Sequence, residues 1–351
     1  MIKEFSLDSY DYEYPMDLLA HNPSRKRPQS RLLDYANQVI KHRYFHELNE
    51  AFPSPCLFVR NNTRVRNGRL FGHKETGGQV ECLLTIKHSD TRWEGLFKPA
   101  KRLKPSQVIH FSQGVRFEIV ESRGEGVFEI EVHYEGDFEE YLLHHGEMPL
   151  PPYITSFESA QERYQTIFSK RLGASASPTA GLHFDEPLVQ NLESQGHRFA
   201  DITLHVGPGT FRPVDTSDIR QFKIHKEYVE LGEDCILAVQ QAMEMGYPIV
   251  CIGTTSLRAL ETVWRLNECR ESFGGWTSLY LLPGEVVQSA DFLITNFHLP
   301  RSSLLILVAS LIGVEKMHNL YNEALMQKYR LFSFGDSMLI PNLSKIHREY
   351  K

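Results

Sequence analysis

The rhythm of apolar and polar positions changes twice along the chain. Near the amino end, Arg31–Ile40 and Cys56–Val59 read as short strands around a possible helix, His46–Ala51. Later runs alternate with period two and are cut by Gly or polar turns: Gln79–Ile86, Trp93–Lys98, Gln107–Phe111, Val115–Ser122 and Val127–Tyr134. That texture predicts a small antiparallel barrel or sandwich. It ends at the stiff segment Pro149-Leu150-Pro151-Pro152-Tyr153, suited to a domain junction. Beyond it, strand and helix patterns alternate. Tyr164 and Phe168 at helical spacing predict a helix over 156–172, with Gly173 just past its end. Asp185 reads as an N-cap, with Pro187 in the first turn and Gly196 closing that helix. Phe199–His205 and Pro248–Ile252 read as strands, and Glu233–Met245 as a helix. Leu304–Leu311 and Val314–Tyr329 also read as helices, the first so apolar that it must be buried. Such alternation implies an α/β fold with a mostly parallel or mixed sheet covered on both faces.

With 351 residues, 41% hydrophobic and 23% charged, the chain has the length and balance of a two-domain globular protein. Thirty-eight basic against 44 acidic residues give a net charge of −6, so any affinity for nucleic acid must be local. Local basic runs exist. One holds Arg25, Lys26, Arg27 and Arg31; another Arg60, Arg64, Arg66, Arg69 and Lys74; a third Lys98, Lys101, Arg102 and Lys104. The later part of the barrel-like stretch is acidic, from Glu118 and Glu121 to Glu139 and Glu140. A barrel charged in this way either offers a basic side to RNA phosphates or compensates its own charges. Trp93 and Phe97 are assigned to the barrel core rather than to base stacking. Cys56, Cys82, Cys235, Cys251 and Cys269 form no CxxC pair, which fits a reducing cytoplasm and no disulfide framework. The N-terminal residues do not form a signal peptide, and Leu304–Ile312 is too short to span a bilayer, so no membrane partner is expected.

The most distinctive stretch runs from Gly173 to Phe211. Pro178-Thr179-Ala180-Gly181-Leu182-His183-Phe184 and Leu204-His205-Val206-Gly207-Pro208-Gly209-Thr210-Phe211 each set one imidazole among Gly, Pro and hydroxyl residues. Glycine permits close backbone approach and histidine exchanges protons near neutral pH, so the mixture points to a ligand site. The plain alternative is two tight turns with incidental histidines. Gly253-Thr254-Thr255-Ser256 with Arg258 forms a glycine turn opening a helix, whose amides and dipole favour an anionic or strongly polar ligand. It is neither a Walker loop nor a dinucleotide fingerprint. Asn296 and His298 follow an apolar strand, and His225 and Glu227 make a candidate acid/base pair. No metal-ligand spacing appears, so no catalytic metal is expected.

Together these motifs resemble the S-adenosylmethionine:tRNA ribosyltransferase-isomerase family of queuosine biosynthesis. The likeness rests on SRLL at 30–33, NNTRVRNGRL at 61–70, KPAKRLK at 98–104, PTAGLHF at 178–184 and TLHVGPGTF at 203–211. It continues with HKE at 225–227, GTTSLRALE at 253–261, TNFHLP at 295–300 and YRLFSFGDSMLI at 329–340, and spans nearly the whole chain. It implies an α/β barrel-like domain with a mixed sheet, built from 1–60 with 150–351 and interrupted by a small antiparallel β-barrel over 61–149. It also implies transfer and isomerisation of the ribosyl part of S-adenosylmethionine onto 7-aminomethyl-7-deazaguanine at a tRNA wobble position. S-adenosylmethionine is then a consumed substrate rather than a cofactor; separately, a monomer is expected. His183, His205 and His298 become candidates for the base, with Glu227 orienting a partner. Thr179, Gly181, Gly207, His225, Gly253, Thr254, Thr255, Ser256, Arg258 and Asn296 become substrate-binding candidates, expected in one cleft. Arg64, Lys98, Lys101 and Arg102 become tRNA-binding candidates. The chain departs from the family at Asn62, where an Asp is usual, and at Phe222, where a second histidine is usual. These departures keep open a tRNA-binding homologue without catalysis; a nucleotide hydrolase is a further alternative.

Overall fold

The computed structural model describes residues 3–154, 156–211 and 213–348. In chain order its strands are β1 (Arg31–Asp34), β2 (Lys41–Tyr44), β3 (Leu57–Asn61), β4 (Thr63–Val65), β5 (Arg69–Lys74) and β6 (Gln79–Lys87). Then come β7 (Arg92–Lys98), β8 (Val108–His110), β9 (Arg116–Gly124), β10 (Val127–His133), β11 (Arg171–Ala174) and β12 (Arg198–His205). The last five are β13 (Glu227–Leu231), β14 (Ile249–Ile252), β15 (Phe273–Thr277), β16 (Phe292–Asn296) and β17 (Ser337–Pro341). The α-helices are α1 (Phe138–His145), α2 (Glu186–Ser194), α3 (Glu233–Glu244), α4 (Thr254–Asn267), α5 (Ser303–Ile312) and α6 (Val314–Met326). The chain forms two compact units, one of Met1–Thr63, Pro151–Lys170 and Pro178–Lys351, the other of Arg64–Leu150 and Arg171–Ser177.

The first unit is built on a nine-stranded mixed sheet in the order β15-β13-β12-β3-β14-β16-β17-β1-β2. Strands β12, β3, β14 and β16 run parallel to one another, the arrangement that helical crossovers demand. Central β14 is buried at every residue, because both its faces are covered and alternation is lost. One face packs Leu32, Phe45, Phe58, Phe184, Val250, Ile252, Ile294 and Leu339 into a core. The Asp185 carboxylate caps α2 by accepting from Leu188 N, as its sequence position predicts. Helix α5 is buried along nearly its whole length, and among the described residues no single helix is long and apolar enough to cross a membrane.

The second unit is a closed antiparallel barrel in the order β10-β7-β6-β5-β8-β9. Trp93, Phe97, Phe117, Ile119, Phe128 and Ile130 fill it, and α1 adds Phe138 and Leu142. Trp93 and Phe97 are core residues, as alternation implies. The expected fold class, a mixed α/β unit with a small antiparallel barrel, is the one observed.

The helix predicted over 156–172 is absent among the described residues; a single 3-10 turn at Gln161–Tyr164 and then β11 stand there. Tyr164 and Phe168 are both buried, but as anchors of a 3-10 turn and of the turn that follows it. Tyr164 meets the Phe334 ring edge-on at 5.6 Å, and Phe168 packs on Phe184 at 5.5 Å. Two anchors four residues apart mimic a helical stripe. Strand β5 and helix α1 carry no clear apolar periodicity, because charged residues are interspersed with their apolar ones.

Candidate functional site

The register of the sheet brings the distant motifs to one edge. Ile202 pairs with Asn61, Ile252 with Arg60, Ile252 with Ile294, and Asn296 with Ser337. The carboxyl ends of β12, β3, β14 and β16 are therefore level, joined by the amino ends of antiparallel β13 and β17. Along this edge lie Glu227, His205, Asn61, Gly253, Asn296 and Ser337. After β3 the chain next joins the sheet at β12; after β14 it passes through α4 to β15 at the sheet's end and only then to β16 beside β14. The carboxyl ends of neighbouring parallel strands are the usual ligand position in such sheets.

His183 ends a 3-10 turn, Thr179–His183, and is 4% exposed. The Asn296 amide donates to the Phe332 carbonyl (3.1 Å) and to His183 Nε2 (3.2 Å), while its oxygen accepts from Thr179 Oγ1 (3.1 Å). Nε2 is thus an acceptor, and Nδ1 carries the proton toward Ser30 Oγ at 2.7 Å. Ser30 donates in turn to the Arg27 carbonyl at 3.2 Å. Phe45 stacks on the imidazole with centroids 5.0 Å apart. Burial, then the Arg330 and Arg27 guanidinium groups, lower the His183 pKa to about 3. A side chain on Gly181 would meet Thr166 at 2.9 Å, so the motif's glycine serves packing. Arg27 donates to the Leu182 (3.1 Å) and Gln165 (2.7 Å) carbonyls, beside a solvent-open recess of about 240 Å³ lined by Ser24, Arg163, His183 and Gly335.

His205 ends β12, is half-buried, and pairs its Nδ1 with Thr63 Oγ1 at 2.8 Å. The turn after it is held from below. Glu227 accepts from Gly207 N (3.0 Å) and Thr210 Oγ1 (3.1 Å), and its other oxygen pairs with Arg258 Nη1. Arg258 also donates to the Leu279 carbonyl at 3.0 Å, and both charged residues are 4% exposed. Glu227 therefore anchors a turn and an arginine, while His225 is exposed. His225 lies over Gly209, where a Cβ would come within 2.5 Å of its ring. The amino end of α4 follows Gly253, whose φ of 90° excludes most side chains. Ser256 Oγ donates to the Ile252 carbonyl at 2.8 Å. Buried Thr255 Oγ1 and Arg258 Nη2 have no hydrogen-bond partner among the described residues, and Thr254 is buried beside them. Buried donors in this condition are costly unless a ligand or water satisfies them.

His298 belongs elsewhere. Its Nε2 pairs with Thr295 Oγ1 at 2.8 Å, its N–H donates to Tyr321 Oη at 2.9 Å, and its carbonyl accepts from Tyr12. Burial lowers its pKa to about 3 and raises that of Tyr321. Thr295 and Asn296 are successive strand residues and face opposite sides of the sheet. His298 and His183, bonded to one each, are thus held on opposite faces. His205 is three strands from β16, roughly 14 Å at the usual spacing. The expected gathering of three histidines in one cleft is not found; they occupy three separate stations, because adjacent strand residues cannot share a face. Ser30, Thr63, Thr295, Tyr12 and Tyr321 were not singled out as partners, since only tertiary contact reveals them.

At the departing positions, Asn62 Oδ1 accepts from Thr203 Oγ1 at 2.7 Å, an acceptor role that a carboxylate would also fill. Phe222 packs edge-on against Tyr280 at 5.7 Å. In the barrel unit the charge halves largely answer each other. Arg66 grips Glu139 with two 2.9 Å bonds, Arg69 pairs with Glu81, and Arg92 with Glu131, each at 2.9 Å. Lys98, Lys101 and Arg102 are exposed on the β7–β8 connection, whereas Arg64 is half-buried.

Comparison with known proteins agrees. A family model described as queuosine biosynthesis protein matches residues 7–340. The chain is 43% identical over 336 residues to the S-adenosylmethionine:tRNA ribosyltransferase-isomerase of Clostridioides difficile (strain 630), covering 94% of this chain and 98% of that protein. A protein of the same name from Staphylococcus haemolyticus (strain JCSC1435) is 41% identical over 339 residues, covering 95% and 99%. The solved structure of an S-adenosylmethionine tRNA ribosyltransferase from Thermotoga maritima superposes with a TM-score of 0.55 at 30% identity, covering 95% of this chain and 99% of that one.

Proposed function

The chain belongs to the queuosine biosynthesis family of S-adenosylmethionine:tRNA ribosyltransferase-isomerases, and from that premise we propose its substrates and the division of labour at the sheet edge. The enzyme moves and isomerises the ribosyl part of S-adenosylmethionine onto 7-aminomethyl-7-deazaguanine at the tRNA wobble position. Epoxyqueuosine-tRNA forms, and adenine and methionine leave. The nucleophile is the tRNA's own aminomethyl nitrogen, so the chemistry asks the protein for binding, proton transfer and electrostatics.

The observation that carries this reading is the amino end of α4, where buried Thr255 Oγ1 and Arg258 Nη2 await partners. With the first-turn amides of Thr254, Thr255 and Ser256, these donors suit the methionine carboxylate. Gly253 keeps the approach clear. His205 takes the proton from the carbon beside the sulfonium; adenine departs protonated, and methionine departs with the electron pair of the broken C–S bond. Glu227 and Gly207 fix the turn that follows His205, so they are positioning groups. His183 is neutral, has both ring nitrogens engaged, and holds Asn296 and Thr179 in place. A conjugate acid with a pKa of about 3 makes His183 or His298 a weak base at neutral pH. In the barrel unit, Lys98, Lys101 and Arg102 contact RNA phosphates.

The test is incubation with S-adenosylmethionine and tRNA bearing the aminomethyl base, scoring adenine and methionine. Both products appear only when that tRNA is present. Tight tRNA binding without adenine release would instead identify a homologue that has lost catalysis.

A further inference from the structure

The edge strand β15 carries Trp276, which is 48% exposed. Its cross-strand partner on β13 is Tyr228, and the partner of Tyr228 on β12 is His205. Residues directly opposite in neighbouring strands share a face, so the three rings form one row across three strands. The Tyr228 and Trp276 rings meet at 5.7 Å and 76°; His205 and Tyr228 lie nearly parallel at 6.2 Å and 19°. Tyr228, like His205, is half-buried, whereas Trp276 at the sheet's end is exposed. Lys223 and Lys226, in the chain entering β13, are exposed as well. The aligned row of rings, rather than the single exposed tryptophan, distinguishes this edge.

We propose that this row is a stacking platform for unpaired RNA bases, delivering the single-stranded segment around the reacting nucleotide to His205. The inference rests on the tRNA-dependent activity proposed above and adds the surface that reads the loop. Aromatic faces are the sequence-tolerant way to hold splayed-out bases, and neighbouring lysines meet the phosphates between them. The Tyr228 ring, braced between His205 and Trp276, fixes the spacing of the row to the strand spacing. A base seated on Trp276 therefore sets the distance from which the next nucleotides reach His205.

The experiment measures steady-state adenine release in the full chain with Trp276→Leu, Trp276→Phe and a distant surface control, Met326→Ala. Trp276→Leu raises KM for tRNA about 5- to 100-fold, as loss of one base stack requires, while KM for S-adenosylmethionine stays at the native value. Trp276→Phe, which keeps a ring, recovers most of the affinity, and Met326→Ala matches the native chain. Native tryptophan fluorescence is quenched by a short unstructured RNA, and that quench is lost in Trp276→Phe although binding persists. An unchanged KM for tRNA in Trp276→Leu overturns the platform while leaving the enzyme reading intact. So does a native chain that sediments as a dimer and becomes monomeric on this substitution, which would make β15 a protein interface. Absence of adenine release from the native chain overturns the activity reading. RNA binding that quenches native but not Trp276→Phe fluorescence would even then support the platform.

Discussion

The two glycine-and-hydroxyl motifs that look alike in sequence have opposite fates in the fold. In 178–184 the histidine is enclosed: Phe45 covers its ring, Ser30 and Asn296 take its nitrogens, and burial holds it neutral. In 204–211 the histidine ends a strand, keeps surface exposure, and is followed by a turn pinned to a buried carboxylate. The difference comes from what lies above each segment. His183 sits where β1 and β17 extend the sheet and the 45–51 turn folds over it, whereas His205 stands beside antiparallel strands that end at the sheet's edge. Composition signals a site; topology decides which imidazole can meet a substrate.

Removing the support under the exposed motif has the largest expected effect. Glu227→Ala leaves Arg258 buried without its carboxylate and costs about 3–5 kcal/mol of stability, read as a lower denaturation midpoint in urea. A loss below about 1 kcal/mol would mean the pair is not buried in solution. The enclosed motif is separated from the exposed one by acid. A histidine held at a pKa of about 3 instead of 6.5 contributes its full stabilisation above pH 6.5 and loses it as pH falls toward 3. His183 and His298 each add about 1.4 kcal/mol of slope per pH unit across that window. His183→Asn should remove about half of the combined slope in melts from pH 6.5 to 4.5; an unchanged slope would place His183 in contact with water. The smallest effect belongs to the barrel. Lys101→Glu should weaken tRNA binding and lower its log–log salt slope by roughly one, with no change in thermal stability. An unaltered slope moves the RNA contact away from the β7–β8 connection.

Much of the fold was legible because alternation and capping are local. Five of the six barrel strands, the Asp185 cap and the buried helix α5 follow from neighbours in the chain. Strand β5 and helix α1 were hidden because their apolar residues are diluted by charges whose partners lie far away, such as Arg69 with Glu81 and Arg66 with Glu139. The failed helix at 156–172 shows the converse, since Tyr164 and Phe168 took their burial from Phe334 and Phe184. At the site, sequence marked His183, His205, Glu227, Arg258 and Asn296 as unusual. It could not tell that Glu227 would meet Arg258, or that Thr295 and Asn296 would send His298 and His183 to opposite faces. Those are consequences of register.

The most direct test of this division is tRNA-dependent adenine release by His205→Gln and His183→Asn, compared with the native chain at saturating substrates. His205→Gln should lose about 100- to 10,000-fold, the range for removing a general base, and His183→Asn should retain turnover within about tenfold where it remains folded. Native turnover in His205→Gln, with the loss falling on a folded His183→Asn, would contradict the account.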